Sequence, residues 1–283
     1  MGAGAAEGGR VMTAAAITAP AAGIIDGLPE DEYHAHPAVN YSRLKHWQCP
    51  LKMIDRADDP TAAKSLGRAA HCAVLEPERF GRTYAVYGGI HNATHSAYKE
   101  ALAKAGGRIL LKPDAYDEAL WIRDAVHAEP VARVLLAGAR RELSIFWTDE
   151  ETGVECRARL DALGAGPADL KRAANGSPHG FRMAAAKYGY AIQAAHYLMG
   201  CRAVGLPTDG FRFPFIAIEP NGRRPIVSVY DLDDDSLQRG MTDRANALRV
   251  YAECLQTNIW PGYVRQRTTI RLPYYALVDN EEE

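Results

Sequence analysis

The sequence predicts an α/β fold, with a mixed β-sheet flanked by helices and a helical N-terminal portion. Three observations lead to this fold class. Apolar residues recur at helical spacing up to about residue 140. Strand-like alternation begins near Leu143, and a helical stretch then separates three predicted strands from two more. A run of strands preceded and interrupted by helices is typical of a sheet covered by helices.

Composition limits the class of protein. The 283 residues are 47% hydrophobic and 24% charged, so the chain can bury the core of one large domain. A net charge of −2 excludes a protein held to nucleic acid by bulk charge, but a local basic groove stays open. No apolar run approaches the roughly 20 residues of a membrane helix. Five scattered cysteines without a CxxC pair favour a reducing compartment, so we expect a cytoplasmic protein.

The predicted organisation is one folded domain between two terminal segments. Residues 1–30 are mostly Ala and Gly and predict a flexible arm. Residues 31–273 form the single domain, which divides into a helical part (31–140) and an α/β core (141–260). Residues 274–283 are an acidic C-terminal tail.

The N-terminal helices have recognisable starts and stops. Ordered structure should begin near Tyr33. Ser42 can cap a short helix that runs to Trp47 and ends before Cys49-Pro50. Other boundaries are marked by Pro, which opens a helix at its first turn, and by Gly-Gly, which ends one. These helices cover about Ala62–Leu75, His95–Ala105, Pro113–Ala128 and Pro130–Leu136.

Alternating polarity marks the strands of the core. Between Val154 and Leu163 apolar side chains alternate with charged ones, so the two sets lie on opposite faces of a strand. The predicted core elements are, in order, strands Leu143–Thr148, Val154–Leu163 and Ala168–Arg172, a long helix from Pro178 to Val204, strands Phe211–Glu219 and Ile226–Asp231, and a helix over Asp235–Thr257.

Two acids and a lysine lie on neighbouring predicted strands. Asp161 ends one strand and Asp169 lies on the next, so antiparallel pairing can bring their carboxylates together. Asp169 and Lys171 point to the same face, with Leu170 packed behind them. Clustered carboxylates suit a hard cation such as Mg²⁺, and a nearby lysine can orient or deprotonate a water and offset phosphate charge. An Asp-x-Lys tripeptide alone is more often an ordinary surface ion pair.

Three further residues stand at helical positions. Gln193 and Tyr197 are four residues apart and share a helix face. His71 lies in a helix otherwise lined with small apolar residues. Taken singly, each has an ordinary structural interpretation: a solvated Gln beside a core Tyr, and a hydrogen-bonded core His.

The order of these motifs resembles the PD-(D/E)xK nuclease superfamily, in particular its RecB-like branch and the RecE (exonuclease VIII) type of phage and prophage exonuclease. Smaller similarities, such as Lys187-Tyr-Gly-Tyr190 and Trp260-Pro-Gly-Tyr263, extend the resemblance over about residues 33–263. Five ordered motifs make chance agreement negligible. They are Ser42 to Pro50, Gly67-x-x-x-His71, Arg159-Leu-Asp161, Asp169-Leu-Lys171 and Gln193-x-x-x-Tyr197.

The resemblance implies a restriction-endonuclease-like core that holds Mg²⁺, with Mn²⁺ as a substitute. The implied metal ligands are His71, Asp161, Asp169 and the backbone carbonyl of Leu170. Two roles are open for Glu142, which either contacts the metal through water or a second ion, or is a plain acid at a helix end.

The same resemblance assigns roles in catalysis. Lys171 would position the water for in-line attack on the phosphodiester. Gln193 and Tyr197 would hold the substrate strand or the geometry of the site. Charge is distributed accordingly, because residues 151–225 contain ten Lys or Arg and six Asp or Glu, so this half can present a basic face to phosphates.

The sequence departs from the family pattern in two places: the motif that gives the superfamily its name, and the cysteines that bind a cofactor in some relatives. The residue before Asp161 is Leu160 rather than Pro, a change that RecB-like members often show. Some relatives bind a four-iron cluster through a Cys-Pro cysteine and three closely spaced C-terminal cysteines. Here Cys49 has only Cys254 near the C-terminal end, and because such a cluster needs four thiolates we expect no iron–sulfur cluster.

The resemblance implies a Mg²⁺-dependent exonuclease, bacterial or phage-encoded, that degrades linear double-stranded DNA 5′→3′. The 3′ single-stranded tails would pass to an annealing protein, and the enzyme would be a ring-shaped homo-oligomer on DNA ends, without membrane association. Two alternatives stay open. One is a RecB-like nuclease of other polarity or single-strand preference within a repair or defence complex. The other is a catalytically dead DNA-binding module, against which the intact set of His71, Asp161, Asp169 and Lys171 argues.

Overall fold

A computed structural model of the chain describes residues 23–54, 62–264 and 266–273. The strands are β1 (Gly23–Ile25), β2 (Tyr84–Val86), β3 (Ile109–Leu111), β4 (Arg140–Thr148), β5 (Glu155–Leu163), β6 (Pro167–Arg172), β7 (Phe215–Glu219) and β8 (Ile226–Tyr230). The helices are α1 (Glu30–Ala35), α2 (Tyr41–Leu44), α3 (Ala62–Leu75), α4 (Pro77–Thr83), α5 (Ser96–Ala105), α6 (Pro113–Ala128), α7 (Pro130–Leu136), α8 (Pro178–Tyr188), α9 (Tyr190–Ala203) and α10 (Asp234–Thr257). Short 3-10 turns lie at Pro50–Met53 and Asp209–Phe211.

A six-stranded mixed sheet forms the centre of the fold, in the order β1-β4-β5-β6-β7-β8. β6 and β7 are parallel, whereas the other neighbouring strands are antiparallel. The β4–β5 hairpin is the longest pairing, and β5 alternates as predicted between apolar and charged side chains. The predicted α/β class with a mixed sheet is confirmed.

Helices cover both faces of this sheet. Alternate residues of β7 point to opposite sides, so that Phe215 packs beneath α9 and α10 while Ile216 packs against α3, α6 and α7. Helices α3, α6 and α7 therefore form one covering layer, and α2, α9 and α10 form the other. Within the described residues, no helix combines the length and the apolar character needed to span a bilayer.

The segment predicted as a flexible arm contains a strand. β1 pairs with the outer edge of β4, where Ile24 lies opposite Ile145. The prediction of a flexible arm was wrong here because pairing at a sheet edge uses backbone groups and depends little on side-chain composition. The rest of the predicted arm, residues 1–22, and the predicted acidic tail, residues 274–283, lie outside the described residues.

Two helix predictions were wrong in detail. Asn40, not Ser42, caps α2, because its side chain accepts a hydrogen bond from the Arg43 N–H (3.2 Å). The long helix predicted from Pro178 to Val204 is two helices, because Gly189 lies between them with a φ of 74°. A single glycine inside a helical pattern does not reveal by itself that it turns the chain.

Short strands and irregular turns also differ from the prediction. β2 and β3 pair in parallel as a separate two-stranded sheet, and at three residues each they are too short to show alternation. β7 begins at Phe215 rather than Phe211, since Asp209, Gly210 and Phe211 have positive φ and cannot continue a strand.

The crossing of α9 and α10 gives a stability prediction. A Cβ on the buried Gly240 would lie 2.2 Å from the carbonyl oxygen of Ala191, so Gly240→Ala must push the two helices apart. We expect a loss of about 1–3 kcal/mol in the free energy of unfolding, measured by denaturant titration. Gly81→Ala on α4 is the control, because a Cβ there meets nothing within 4 Å and should be neutral or stabilising. Equal effects of the two substitutions would contradict the packing account.

Candidate active site

The candidate site forms where β5 and β6 separate. The two strands pair only through Ala162 with Ala168 and Leu163 with Pro167. Beyond this point the backbone N–H of Leu170 donates to the carboxylate of Asp161 (2.8 Å) rather than to a carbonyl of β5. A side chain has therefore taken over a hydrogen bond of the ladder, which fixes Asp161 at the point of divergence.

Asp161 lies next to His71 and Glu142. The Nδ1 of His71, on α3, is 3.7 Å from the Asp161 carboxylate, and its Nε2 is 3.2 Å from the carbonyl oxygen of Leu170. Glu142 lies opposite Asp161 in the hairpin, between the pairs Arg141 with Ala162 and Leu143 with Leu160. One donor atom from each of the three side chains lies within 4.8 Å of the others.

Glu142 is held in an unusual conformation. Its φ of 49° is rare for a residue with a side chain and marks local backbone strain inside β4. The Nε of Arg159 donates to the Glu142 carboxylate (2.7 Å), and another guanidinium nitrogen donates to the carbonyl of Leu28 (3.0 Å). Arg159 thus ties Glu142 to the segment that leads into α1. Glu142 was expected just before the first long strand, but it lies within that strand.

Burial and like charge set the electrostatics of this cluster. Desolvation, followed by the nearby Asp169 carboxylate, raises the pKa of Asp161 to about 7. Burial alone would lower the pKa of His71, but the carboxylates of Asp161 and Glu142 raise it above its ordinary value. The carboxylates of Asp161 and Glu142 therefore favour a positively charged group beside them.

Asp169 belongs to a second group on the other side of β6. The Lys171 ammonium contacts one oxygen of the buried Asp169 carboxylate, and the Gln193 amide donates to the other (2.5 Å). Burial would lower the pKa of Lys171, but the adjacent Asp169 raises it, so the amine is protonated at neutral pH. The ammonium also lies 5.1 Å from the Tyr190 ring centre and 6.0 Å from that of Phe215.

An open cleft of about 650 Å³ leads to the first group. α1, α2 and α3 form its walls, and His71, Glu142 and Asp161 lie in its lining. Tyr197 of α9 also borders the cleft, with its ring edge-on to that of Tyr41 at 5.8 Å. Burial raises the pKa of both phenols, which stay neutral hydrogen-bonding groups.

A family model described as a PDDEXK-like domain of unknown function (DUF3799) matches residues 44–273, well over half of the chain. The chain belongs to this PDDEXK-like family. The match includes β5, β6, α3 and α9, the elements that carry the two groups. It confirms the resemblance to the PD-(D/E)xK nuclease superfamily, and the sheet with its covering helices is the PDDEXK-like fold.

Two solved structures are similar to this PDDEXK-like chain. One is a "Putative exonuclease" from Eubacterium rectale, with a TM-score of 0.57 at 14% identity over 89% of this chain and 98% of that one. The other is a phage related exonuclease from Haemophilus somnus 129PT, with a TM-score of 0.32 at 12% identity over 80% of this chain and 99% of that one. At these identities the first similarity supports the fold alone. Among curated proteins, none matches the chain.

The donor set of the PDDEXK-like domain fits a divalent metal ion, which nucleases of this superfamily generally use. One imidazole and two carboxylates converge, and oxygen with imidazole nitrogen suits Mg²⁺ or Mn²⁺. The raised pKa of Asp161 is also consistent with a metal site, because a bound cation would stabilise the ionised carboxylate.

The PDDEXK-like domain places the sequence-predicted residues in two separate groups. His71, Asp161 and the Leu170 carbonyl meet at the cleft, with Glu142 as the third side chain. Asp169, Lys171 and Gln193 form the second group, so Asp169 contacts the lysine rather than the cluster of donors.

Sequence reasoning missed two supporting residues. The sequence shows Arg159 as part of a motif, and its alternation onto the Asp161 side of β5 is the signal that indicates a supporting role. Tyr41 stands beside the Ser42 motif, and nothing in the local pattern indicates that α2 would bring its ring against Tyr197.

The raised pKa of Asp161 predicts how stability changes with pH in EDTA. The folded chain binds this proton more tightly than the unfolded chain, so stability is higher in acid and falls as pH rises through about 7. The raised pKa of His71 acts in the same direction. Asp161→Asn removes the ionisation yet keeps an acceptor for the Leu170 N–H. We expect it to raise the melting temperature at pH 8, by about 2–4 °C per 1 kcal/mol relieved, and to have less effect at pH 5.

Asp149→Asn is the matched control. This buried acid pairs with the Arg244 guanidinium at 2.8 Å. Burial tends to raise its pKa, but hydrogen bonds from Thr152 and the charge of Arg244 outweigh burial and lower it. Asp149→Asn should therefore lower the melting temperature at pH 8. A fall for Asp161→Asn as well would mark Asp161 as structural instead.

Proposed function

We propose that this PDDEXK-like protein is a divalent-metal-dependent exodeoxyribonuclease of the RecE type. It would degrade linear duplex DNA 5′→3′ by phosphodiester hydrolysis and leave 3′ single-stranded tails. The observation that carries the nuclease proposal is the convergence of His71, Glu142 and Asp161 in the lining of a cleft, near Asp169 and Lys171. The Eubacterium rectale protein of similar fold carries an exonuclease name, and the motif resemblance to RecE-type enzymes supplies the direction.

We propose the following ligands for the metal ion. His71 and Asp161 are common to the geometry and to the family resemblance. Geometry adds Glu142 as the third side chain. The resemblance adds Asp169 and the Leu170 carbonyl, and that carbonyl lies 3.2 Å from the His71 ring. A divalent ion bound there supplies positive charge to the phosphate under attack.

The chain's own residues then orient the reaction. A protonated Lys171 donates a hydrogen bond to the attacking water and offsets charge on the phosphate. Asp169 holds the Lys171 ammonium in place through their ion pair, and Gln193 holds Asp169 through a hydrogen bond. Tyr197 and Tyr41 border the path of the substrate strand, where neutral phenols donate to phosphate oxygens.

Degradation of end-labelled DNA tests the activity and its direction. Linear duplex labelled at either the 5′ or the 3′ end is incubated with Mg²⁺, beside a covalently closed circle. The proposal expects early release of the 5′ label, later loss of the 3′ label and an intact circle. Release of the 3′ label first would contradict the direction, cutting of the circle would contradict exonuclease action, and no cleavage of any substrate would contradict the nuclease.

The metal ion gives a second prediction. Mg²⁺ or Mn²⁺ should support cleavage, whereas Ca²⁺ should support DNA binding without cleavage, because Ca²⁺ has looser coordination and acidifies water less. Rates are measured after EDTA treatment and re-addition of each ion. Undiminished cleavage in excess EDTA would remove the metal from the proposal.

Lys171→Arg tests whether Lys171 positions the attacking water or only supplies positive charge to the phosphate. The amine sits between the Asp169 carboxylate and the rings of Tyr190 and Phe215, a space that suits a compact ammonium. A planar guanidinium keeps the charge but displaces the donor. We expect at least about a hundredfold loss of kcat, roughly 2.7 kcal/mol, with little change in DNA affinity in Ca²⁺. Near-normal turnover would leave Lys171 as a general phosphate contact.

The resemblance also supports two assembly proposals. A protein that anneals single strands would take up the 3′ tails, and the nuclease would act as a homo-oligomeric ring around DNA. Light scattering of the purified chain tests the second proposal, which a monomer at working concentration would contradict.

A further inference from the structure

An exposed aromatic ring lies close to Lys171 at the corner between α8 and α9. Tyr188, the last residue of α8, is 46% exposed. Its ring stacks on that of Tyr190, with centroids 6.0 Å apart and planes 28° from parallel. Tyr190 is buried, and its ring is the one that lies 5.1 Å from the Lys171 ammonium. The open face of Tyr188 is thus two ring contacts away from Lys171.

The corner beneath Tyr188 is fixed by packing. Tyr190 stacks on Phe215 at 5.3 Å and contacts Phe181 at 5.7 Å, both buried rings. Gly189 turns the chain with a φ of 74°, and a Cβ there would come within 3.2 Å of the Lys45 side chain. Tyr190 therefore belongs to the core, whereas Tyr188 rests on that core and is partly exposed, with the flexible Lys187 side chain over its ring.

The chain segment that carries Tyr188 is basic. Between Asp169 and Asp209 the sequence contains no acidic residue and five Lys or Arg, so this stretch favours phosphates. The ammonium of Lys187 lies over the Tyr188 ring, 5.3 Å from its centroid. The stem of Lys45 passes Gly189, and the Lys45 ammonium lies 5.8 Å from the Tyr41 ring centre. Positive charge beside an exposed aromatic ring is a combination by which proteins hold single-stranded DNA, because a mobile lysine can move aside and every base can stack on a ring.

We infer that Tyr188 is a base-stacking residue, which takes the base of a nucleotide next to the scissile phosphate of the cleaved strand. The inference rests on the proposed nuclease function and extends it to a binding subsite. The Lys171 ammonium lies 5.1 Å from the Tyr190 ring centre, and that ring lies 6.0 Å from the Tyr188 ring, so a nucleotide whose phosphate contacts Lys171 can place its own or an adjacent base at this corner. Stacking on an aromatic ring tolerates any sequence, which suits an enzyme that removes nucleotides from every DNA end.

Abasic substrates test the inference through the coupling between ring and base. Steady-state degradation of linear duplexes is measured with an abasic site moved singly through the first four positions of the cleaved strand. Tyr188→Ala should lower kcat/KM on intact DNA by about 5- to 150-fold, the range for loss of one base–aromatic contact. At one abasic position, wild type and Tyr188→Ala should be equal. Tyr188→Phe should stay within about twofold of wild type on all substrates.

The controls separate stacking from a structural effect. Met183→Ala removes another exposed apolar side chain of α8, at 57% exposure, and should leave kcat/KM unchanged on every substrate. Melting temperatures confirm that the variants are folded. If Tyr188→Ala has no effect on intact DNA, or lowers activity equally on intact and abasic DNA at every position, the base-stacking role is overturned.

A binding measurement in Ca²⁺ distinguishes failure of this inference from failure of the proposed function. Duplexes carrying 2-aminopurine at one of the same four positions report stacking as fluorescence quenching, without any cleavage. Wild type and Tyr188→Phe should quench one position, and Tyr188→Ala should not. If the wild type degrades DNA in Mg²⁺ but the quenching persists in Tyr188→Ala, the stacking role alone is overturned. A wild type that neither cleaves nor binds would overturn both proposals.

Discussion

The candidate site depends on one hydrogen bond, from the backbone N–H of Leu170 to the carboxylate of Asp161. Two strands that continued to pair would satisfy that N–H with a carbonyl and would leave no space for chemistry. Because a side chain accepts the hydrogen bond instead, β5 and β6 can separate without leaving a buried donor unpaired. The acid that completes the strand pairing is therefore also the acid that faces the cleft.

Separation of the strands divides the charged residues into two groups. On the α3 side, His71, Glu142 and Asp161 crowd together without a lysine among them, and burial makes ionisation of Asp161 costly. On the α9 side, Asp169 already has a cation in Lys171. In the first group Arg159 already pairs with Glu142, which leaves the His71 imidazole as the cationic neighbour of Asp161, whereas in the second group Asp169 is paired with Lys171. This asymmetry supports our proposal that a metal ion binds on the α3 side of β6 and that Lys171 orients the water on the α9 side.

Much of this arrangement was predictable because it depends on local patterns. Alternation in β5 and the Asp-x-Lys spacing in β6 follow from the two-residue period of a strand, and Gln193 with Tyr197 follow from helical spacing. The order of the motifs along the chain then connects these local patterns into one candidate site. The break at Gly189 escaped prediction, since a left-handed glycine leaves no periodic signal. The positive φ of Glu142 and its contact with Arg159 depend on how β4 and β5 meet, which neither strand shows alone.

The central claim is that the opening between β5 and β6 holds a divalent cation with His71 and Asp161 among its ligands. Crystals grown with Mn²⁺ and measured at the manganese absorption edge would locate the ion directly. The account predicts an anomalous peak in contact with both side chains in the wild type, and loss of that peak in Asp161→Asn. A peak bound elsewhere in the chain, or one that persists unchanged in Asp161→Asn, would contradict it.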